Sequence, residues 1–574
     1  MGKTSENGTS ALGWAVAAIG VVTLPNLCAM ILPGADAFAA MVAMQVAALM
    51  LIPCAFGAPL RIVLLAGIPF VWLGPVAILC RITTGQPPSE WFFLLLFETT
   101  RAEATVFLPQ ILSGCALLLA CSAVFAWIVW RRLDRRTRLD RLGRMTIVFW
   151  ALLAPAAAVA QLGLREGGLT AAYRLENSYP LDTALSLVRA AGLRWELSHR
   201  ARSMARIAVR RLEPPLPQRE IYLLVIGEAA RYDRFQINGY ERPTTPRLAG
   251  IDGLLSFRDV ISPAPATLLA VPMLLTAATA PEAREALRLP SLPAAFRAAG
   301  FHVHWLSTQA RHGRWDTTVS SFAQDADDAR FLGSQLGNEG SAGQTALDTE
   351  LIPVVRDILA RNEQKILLIL HTMGSHALYS DRYTPEFDRF PADPTVCAEA
   401  RRRVLVEGAF TKEQQTALDN SYDNSILFTD SVLADLIGVL EDQHAVSGFY
   451  YVSDHGENGG DASYLPFGHG NLSSEVLHIP LLVWLSPEYR AARTRQSAAL
   501  AEHVAVPISS TTTFHTLFDL AGLGGARSDP AHSIASPEFR PSVRMVTNLH
   551  GDLKDYDRDI KASGEAGDNH LVTR

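Results

Sequence analysis

Cysteine is scarce in this chain of 574 residues, and its six cysteines are unevenly placed. Five of them lie before residue 122, in or beside long apolar runs, where cysteine behaves as a small buried hydrophobic residue. Only Cys397 belongs to the more polar remainder of the chain. Because one thiol has no partner there, the part after residue 164 is predicted to have no internal disulfide, although its compartment would permit one.

Net positive charge and internal repeats are also lacking. The formal net charge is −6 and the pI is about 6.2, which argues against nucleic acid as a partner. The first apolar run has no small-residue cleavage site directly after a short apolar core. It is therefore predicted to be a retained span and not a cleaved signal peptide.

Long apolar runs are abundant in the first 164 residues. A helix that crosses a bilayer needs about 20 apolar residues. Five segments meet this requirement: 11–32, 38–57, 62–80, 105–130 and 145–164. The boundary between the second and third stays open, because little more than Pro59 and Arg61 separates them. The region 1–164 is therefore predicted to be a transmembrane domain with five helices.

The orientation of these spans follows from the loop 131–144, which carries seven arginines and two aspartates. Such positive loops stay in the cytoplasm. The N-terminus is therefore predicted inside the cell, together with Arg61, and everything after residue 164 outside the cytoplasm. In the external loop 82–108, the aromatic cluster at 91–93 is typical of a helix at the membrane interface.

Segment 165–220 is predicted to be a linker that contains an interfacial helix. Residues 181–212 form a basic helical pattern, either a solvated connector or a membrane-surface helix, which the Pro-rich stretch 213–220 ends. The next predicted domain is 221–545, and the polar stretch 546–574 is expected to be a weakly ordered tail.

Short apolar runs alternate with helical patterns from residue 221 onward, which indicates an α/β domain with a mostly parallel central sheet. The clearest predicted strands are 221–228, 302–307, 365–372, 448–455 and 479–486. The predicted helices are 293–300, 348–362, 411–440 and 511–522.

Potential metal ligands close three of these predicted strands. In open parallel sheets, ligands bind at the carboxyl ends of the strands, where this sequence has Glu228, His371 and the pair Asp454–His455. His376 and His469 follow shortly afterwards. Carboxylates with imidazoles are the ligand mix expected for zinc or manganese. One acidic residue at a strand end is more often a cap or turn residue, but three such ends in one domain predict a metal site.

A hydroxyl nucleophile is available in the stretch "SPAPATLLAVPMLLT", residues 262–276. Thr267 is expected at the N-terminus of a helix, where backbone N–H groups and the helix dipole favour a phosphate. The alternative is that Thr267 is only an N-cap. A hydroxyl beside a divalent cation loses its proton more readily and can attack phosphorus. A threonine nucleophile would imply a covalent phospho-enzyme and a two-step transfer.

Five sequence blocks, in order along the chain, resemble those of the phosphoethanolamine transferases, membrane members of the alkaline phosphatase/sulfatase superfamily. The blocks are "VIGEAARYDRFQINGYERPTTPRL" (225–248), "TLLAVPMLL" (267–275), "LHTMGSH" (370–376), "YDNSILFTD" (422–430) and "SDHGENGG" (453–460). The five apolar spans also resemble that family, so the likeness covers nearly the whole chain. It implies a five-helix transmembrane domain joined to an extracytoplasmic α/β domain of alkaline phosphatase/sulfatase type.

The resemblance implies a role for each candidate site residue. Thr267 would be the nucleophile and would bind zinc, one ion or two, together with Glu228, Asp454 and His455. His376 and His469 would hold the transferred phosphate or a second zinc, and His371 and Glu457 would support the site. In the external loop, "ETTRAEA" (98–104) resembles a family motif, so that Glu103 is either a contact for the amine of the lipid donor or a solvated carboxylate.

The implied reaction moves phosphoethanolamine from phosphatidylethanolamine, through a phosphothreonine, to lipopolysaccharide (lipid A or core) or another periplasmic glycan. The implied protein is a zinc-dependent monomer in the bacterial inner membrane, in contact with membrane lipids, with manganese as the alternative metal. No nucleic acid partner is expected.

Three features depart from the lipid A-modifying branch of that family and leave the acceptor open. The catalytic domain has no disulfide, His312 stands before Gly313 where that branch often has a lysine, and the insertion "GGDASYLPF" (459–467) before His469 is longer. The alternatives are phosphoglycerol transfer of the lipoteichoic acid synthase type, metal-dependent phosphodiester hydrolysis, and an inactive scaffold. Sulfatase activity is disfavoured, because "SPAPAT" lacks the Cys/Ser-x-Pro-x-Arg motif that formylglycine formation requires.

Overall fold

The computed structural model divides the chain into two compact units, residues 1–196 with 338–341, and residues 197–337 with 342–574. The division lies inside the predicted linker 165–220. The structure describes residues 13–15, 49–69, 73–74, 77, 88, 93, 123, 125–149, 179–204, 207–214, 216, 218–309, 317–333, 346–376, 379–393, 395–397, 411–459, 468–548 and 551–561.

The helices described in the first unit pack around a small apolar cluster that includes Leu60, Leu64 and Ile147. They include Ile52–Ala55 (α1), Leu60–Ala66 (α2) and Arg141–Val148 (α3). A further helix, Leu181–Met204 (α4), contains the division between the units. Helix α3 begins where it does because the side chain of Asp140 caps it, accepting the N–H of Gly143 at 2.8 Å.

Two segments that are predicted on the same side of the membrane are in contact within this unit. The guanidinium of Arg61 lies 3.6 Å from the ring centre of Trp130, and the backbone N–H of Leu60 donates to the carbonyl of Thr137 at 2.9 Å. The residues on either side of Arg61 and the arginine-rich loop therefore form one surface.

The five predicted spans lie largely outside the described residues. Within the described part, no helix combines the length and the hydrophobicity that crossing a bilayer requires. Glu103, Trp91, Phe92 and His312 also lie outside the described residues.

The second unit is an α/β structure. Its helices are Thr267–Leu274 (α5), Leu292–Ala298 (α6), Thr317–Ala323 (α7), Leu351–Leu359 (α8), Lys412–Glu441 (α9), Ser474–Leu477 (α10), Pro487–Ala492 (α11), Thr494–His503 (α12) and Thr512–Leu520 (α13). Its strands are Val209–Arg211 (β1), Glu220–Gly227 (β2), Leu255–Ser256 (β3), Val260–Ile261 (β4), His302–Ser307 (β5), Asp328–Phe331 (β6), Lys365–His371 (β7), Val446–Ser453 (β8), Leu481–Leu485 (β9), Ile508–Ser509 (β10), Leu523–Gly525 (β11), Met545–Thr547 (β12) and Leu553–Asp555 (β13).

Seven of the described strands form the central sheet, in the order β3-β9-β8-β2-β7-β5-β6. Strands β8, β2, β7, β5 and β6 are parallel, whereas β9 runs antiparallel to both of its neighbours, β8 and β3. The sheet predicted as mostly parallel is therefore a mixed sheet with one reversed strand.

Strand β2 lies at the centre of the sheet and is buried along its whole length. Leu224 and Ile226 pack on one face with residues of α5, α6 and α13, and Leu223 and Val225 pack on the other face with residues of α8 and α9. Because helices cover both faces, the strand reads as a continuous apolar run without alternation.

From residue 221 onward, the predicted strands and helices are confirmed, with bounds that differ from the observed ones by at most three residues. Strands of two to four residues were missed, because so short a segment carries no measurable hydrophobic period. The basic helical pattern 181–212 ends at Met204, and β1 follows it and pairs with β11.

The C-terminal stretch 546–574 is not the weakly ordered tail that its polar composition predicts, at least as far as residue 561. Strands β12 and β13 pair there. The side chains of Val546, Tyr556 and Ile560 pack with Ile261 and Leu477 in a buried cluster. A few apolar residues, brought together by a hairpin, are enough to order this polar segment.

Candidate active site and metal centre

Three adjacent strands deliver the candidate ligands to one edge of the sheet. Strand β2 lies between β7 and β8, with Ile226 paired to His371 and Gly227 paired to Ser453. Because all three strands are parallel, the residues that follow them, Glu228 and Asp454 among them, emerge at the same edge.

Thr267 is the first helical residue of α5, and the N-cap is Ala266, whose backbone is extended. The Thr267 hydroxyl oxygen lies 3.2 Å and 3.4 Å from the two carboxylate oxygens of Glu228. It also lies 3.2 Å from Nε2 of His455. Thr267 is thus not the N-cap of α5, and its hydroxyl lies among the candidate ligands.

Glu228, Asp454 and His455 form a buried cluster whose possible ligand atoms all lie within 4.8 Å of one another. Nε2 of His455 is 3.3 Å from a carboxylate oxygen of Glu228 and 3.4 Å from Oδ2 of Asp454. That Oδ2 is buried and accepts no hydrogen bond from the described residues. The cluster therefore offers two carboxylates, one imidazole and one hydroxyl, and one carboxylate oxygen has no hydrogen bond. This set of donors fits a zinc ion.

The two buried carboxylates of the cluster, Glu228 and Asp454, favour a nearby positive charge. Burial and the nearby Glu228 raise the pKa of Asp454 to about 7. Burial opposes protonation of His455, but Asp454 and Glu228 outweigh it and raise the pKa of His455 to about 10. Burial also acts to raise the pKa of Glu228, yet the hydrogen bond and charge of His455 hold it below its usual range. A divalent cation would supply this charge in place of the proton.

Gln309 is a contact that sequence reasoning missed. Its side-chain amide donates to Glu228 at 3.0 Å and to the carbonyl of Thr372 at 2.8 Å. It follows strand β5, so it obeys the same strand-end rule as the predicted ligands. Glutamine is not a typical zinc ligand, so the sequence alone does not indicate that Gln309 belongs to the site.

The loop after β7 is held tightly against Glu228. The N–H of Ser375 donates to the Glu228 carbonyl at 2.9 Å, and a side-chain carbon at Gly374 would lie 2.6 Å from that same oxygen. The carboxylate of Asp348 accepts the N–H groups of Met373 and Gly374, both at 2.9 Å. Asp348, another residue not singled out from the sequence, therefore positions the loop that carries His376.

His469 and Glu457 lie beside the buried cluster. Nδ1 of His469 is 3.1 Å from a Glu457 oxygen, and its ring centre is 4.3 Å from that of His455. The hydroxyl of Tyr379 donates to the other Glu457 oxygen at 3.3 Å. His469 retains 30% exposure, whereas Glu457 is buried. Glu457 thus orients a histidine that is reached from solvent.

The two remaining predicted histidines occupy different positions. The ring of His376 is 6.0 Å from that of His469, and its buried Nδ1 has no hydrogen-bond partner within the described chain. His371 is the last residue of β7 and does not belong to the described groups that could hold a metal. Burial lowers its pKa to about 4 against the pull of Glu228, so its imidazole is neutral near pH 7.

The block "NGYERPTTP" and the helix α9 meet at Asp423, which is fully buried. Its carboxylate contacts the guanidinium of Arg234 at 3.3 Å, the guanidinium of Arg242 at 2.8 Å and the hydroxyl of Tyr240 at 2.9 Å. This network is structural, and it fastens the segment after Glu228 to the longest described helix.

A family model, Sulfatase, matches residues 220–523, which is more than half of the chain and spans every candidate residue of the second unit. The chain belongs to the sulfatase family. Its central sheet, with Thr267 opening a helix at the carboxyl edge, is accordingly of the alkaline phosphatase/sulfatase type.

Several known proteins that resemble this member of the sulfatase family are phosphoethanolamine transferases. Phosphoethanolamine transferase EptC of Escherichia coli K12 is 26% identical over 528 residues, which cover 87% of each chain. The solved structure of the C-terminal periplasmic domain of Escherichia coli EptC, in complex with zinc, is 26% identical with a TM-score of 0.54. That match covers 61% of this chain and 96% of the EptC domain.

A third resemblance extends over the first unit. The integral membrane protein lipooligosaccharide phosphoethanolamine transferase A from Neisseria meningitidis has a TM-score of 0.53, and the match covers 93% of this chain and 99% of that chain. At 20% sequence identity, this likeness shows the fold alone.

Proposed function

We propose that this protein is a membrane-bound phosphoethanolamine transferase that moves phosphoethanolamine from phosphatidylethanolamine to lipopolysaccharide or another periplasmic glycan. The observation that carries the proposal is the position of the Thr267 hydroxyl, 3.2 Å from both Glu228 and His455 at the start of a helix. The similarity to phosphoethanolamine transferases over 87% of the chain supports the choice of transferred group.

The residues that would hold zinc are Glu228, Asp454, His455 and Thr267. When bound there, zinc lowers the pKa of a hydroxyl ligand and offsets negative charge on a phosphoryl group. Gln309 and the loop after β7 keep Glu228 in place. The main-chain N–H groups of Ala229 and His455 donate to Oδ1 of Asp454 and so fix the second carboxylate.

In the first step, the Thr267 oxygen loses its proton and forms a bond to the phosphorus of the lipid. The bond between phosphorus and the diacylglycerol oxygen breaks, and diacylglycerol leaves after that oxygen takes up a proton. Thr267 lies in the first turn of α5, where N–H groups without a helical partner would favour the negative charge of the transferred group. His376 and His469 are proposed to donate hydrogen bonds to the phosphoryl oxygens.

In the second step, a hydroxyl or phosphate oxygen of the acceptor attacks the phosphorus of phospho-Thr267. The bond to the threonine oxygen breaks, and Thr267 regains its proton. Because Glu457 lies at Nδ1 of His469, the other ring nitrogen is available to the transferred group. The partial exposure of His469 gives the acceptor a route to this side of the site.

The proposed location is the bacterial inner membrane, with five spans, a cytoplasmic N-terminus and the sulfatase-family unit in the periplasm. This location supplies the lipid donor, since phosphatidylethanolamine lies in the bilayer beside the external loop 82–108. Glu103 is proposed to contact the amine of that donor.

The test follows diacylglycerol release by lipid mass spectrometry after the purified protein is mixed with phosphatidylethanolamine vesicles. Wild type is expected to release diacylglycerol and to yield a peptide with phosphoethanolamine on Thr267. Thr267→Ala is expected to do neither, and Thr267→Ser to retain part of the rate. Thr276→Ala is the matched control, because Thr276 is a buried threonine just beyond the C-terminus of α5, and its hydroxyl bonds the carbonyl of Pro272.

Two other results would reassign the function. Diacylglycerol released only from phosphatidylglycerol would make the protein a phosphoglycerol transferase. Phosphoethanolamine released into water at the same rate with and without lipopolysaccharide would make it a hydrolase.

A further inference from the structure

A second cluster of metal-ligating side chains lies in the same unit, away from the candidate active site. His302 and His304 stand at alternate positions of β5 and therefore project from the same face of the sheet. Glu363 precedes β7, and one ligand atom of each of the three residues lies within 4.8 Å of the others. His304 pairs with Leu368 of β7, whereas the active-site residues follow the carboxyl ends of the strands. Along the strands, the two places are roughly 13 Å apart.

The side chains of this second cluster already converge on one point. A Glu363 oxygen lies 2.9 Å from Nε2 of His304, and the other oxygen lies 3.9 Å from Nδ1 of His302. The two imidazole rings are stacked with centres 4.6 Å apart. The main chain of Glu363 is fixed by Arg219, whose Nε donates to its carbonyl at 2.8 Å.

The imidazole of His304 lies between two carboxylates, with Glu363 at Nε2 and Asp328 at Nδ1. The His304 side chain is fully buried, and its Nδ1 has no hydrogen-bond partner among the described residues. Oδ2 of Asp328 lies 3.6 Å from that nitrogen, and Arg330 holds the same oxygen. A histidine that binds a metal through one ring nitrogen commonly presents the other to a carboxylate, which sets the tautomer and the ring orientation.

We propose that Nδ1 of His302, Nε2 of His304 and the carboxylate of Glu363 bind a divalent transition metal, zinc above all. Two imidazoles and one carboxylate are a zinc donor set, with a fourth position left for water. Magnesium and calcium are disfavoured because they take oxygen ligands almost exclusively.

The metal would join the start of β5 to the turn before β7, close to the edge strand β6 that carries Asp328. The guanidinium of Arg361 lies 4.0 Å from a Glu363 oxygen and partly balances the charge of this carboxylate. Glu363 would therefore interact with both the metal and Arg361. The site takes no part in phosphoethanolamine transfer and stands or falls independently of that function.

The experiment measures zinc per chain in the purified full-length protein. The protein is stripped with a chelator, equilibrated with zinc buffered at about micromolar free concentration, and freed of excess metal. His302→Gln and Glu363→Gln remove one ligand each at partly exposed positions, 43% and 21% exposed, where folding tolerates the change. His444→Asn is the matched control, an exposed histidine outside both clusters.

We expect His302→Gln and Glu363→Gln each to lose about one zinc per chain, and His444→Asn to lose none. Asp454→Asn should lose a different zinc, so that the double variant with His302→Gln loses both. Diacylglycerol release by His302→Gln should equal that of wild type. If His302→Gln and Glu363→Gln retain as much zinc as wild type, the proposal is wrong and Glu363 only shares a proton with His304.

A second measurement keeps the test decisive if one variant folds poorly. Cobalt added to the Asp454→Asn protein should give a visible absorption of an imidazole-bound ion that the double variant Asp454→Asn/His302→Gln lacks. Both variants keep the possible metal group of His455, Glu457 and His469, so the difference between their spectra reports the second cluster alone. Equal cobalt absorption in the two variants, with both proteins folded by circular dichroism, would overturn the proposal.

Discussion

The hydroxyl oxygen of Thr267 lies 3.2 Å from Nε2 of His455, although 188 residues separate the two along the chain. Thr267 opens helix α5, and His455 follows the carboxyl end of strand β8. The electropositive end of a helix and the ligand-bearing edge of a sheet therefore face the same point. This relationship brings the proposed nucleophile, the proposed metal site and the proposed phosphate site together.

Gln309 is expected to tune the metal centre through its hydrogen bond to Glu228. Gln309→Met keeps the length of the side chain but removes the donor. Loss of such a supporting contact to a metal ligand commonly lowers metal affinity or activity about 10- to 100-fold. Zinc titration of the stripped protein and the rate of diacylglycerol release measure the effect. Gln364→Met, at an exposed glutamine, is the control, and equal zinc affinity in both variants would contradict the expectation.

Glu457→Gln should separate the two roles that remain open for His469. If His469 binds the transferred phosphate, the variant should lower the turnover rate by about tenfold or more, because the ring loses its orienting charge. Zinc per chain should then stay unchanged. Loss of one zinc would show instead that His455, Glu457 and His469, which also form a possible metal group, hold a second ion. Glu441→Gln, at an exposed glutamate, controls for the change of charge.

Asp423→Asn is expected to destabilise the fold by about 2–3 kcal/mol, because it removes the charge of a fully buried carboxylate that bonds Arg234, which is 11% exposed, and Arg242, which is 40% exposed. Asp435→Asn is the matched control. Asp435 pairs with Arg247 at 2.7 Å, but both side chains are at least 40% exposed. Breaking that pair should cost about 1 kcal/mol or less. Urea unfolding of wild type, Asp423→Asn and Asp435→Asn gives the loss in free energy of unfolding for each variant. Similar losses in the two variants would contradict the prediction.

His515 should make stability fall as the pH falls. Burial, aided by His532, lowers its pKa to about 4 from an ordinary value near 6.5. Between these two values the unfolded chain binds a proton that the folded chain does not. The free energy of unfolding therefore rises with pH from about 4 to 6.5 and is lost on acidification, by up to about 1.4 kcal/mol per pH unit.

His515→Gln should remove this contribution and flatten the slope of unfolding free energy against pH in that window. Urea unfolding at pH values from 4.5 to 7 measures the slope. His444→Asn should keep the wild-type slope. Asp430, whose pKa burial raises to about 6, opposes the trend in all three proteins and cancels in the comparison.

The sequence by itself determined the long elements and the chemical character of the site. Short continuous apolar runs mark buried strands, so β2, β7 and β8 were predicted from their own residues. Their expected parallel arrangement implied that Glu228 and Asp454 lie at the same edge of the sheet. A hydroxyl, carboxylates and imidazoles at those positions indicated metal-assisted phosphoryl transfer before any distance was known.

Only the tertiary structure decided which neutral or distant residues complete the site. Gln309 donates to Glu228, which is 81 positions away in the sequence, and Asp348 accepts from Gly374, which is 26 positions away. No local sequence pattern predicts either contact. The reversal of β9 and the ordered hairpin after residue 544 likewise depend on partners elsewhere in the chain. Local sequence specifies propensity and burial, whereas these features arise from pairing between segments that only the folded chain brings together.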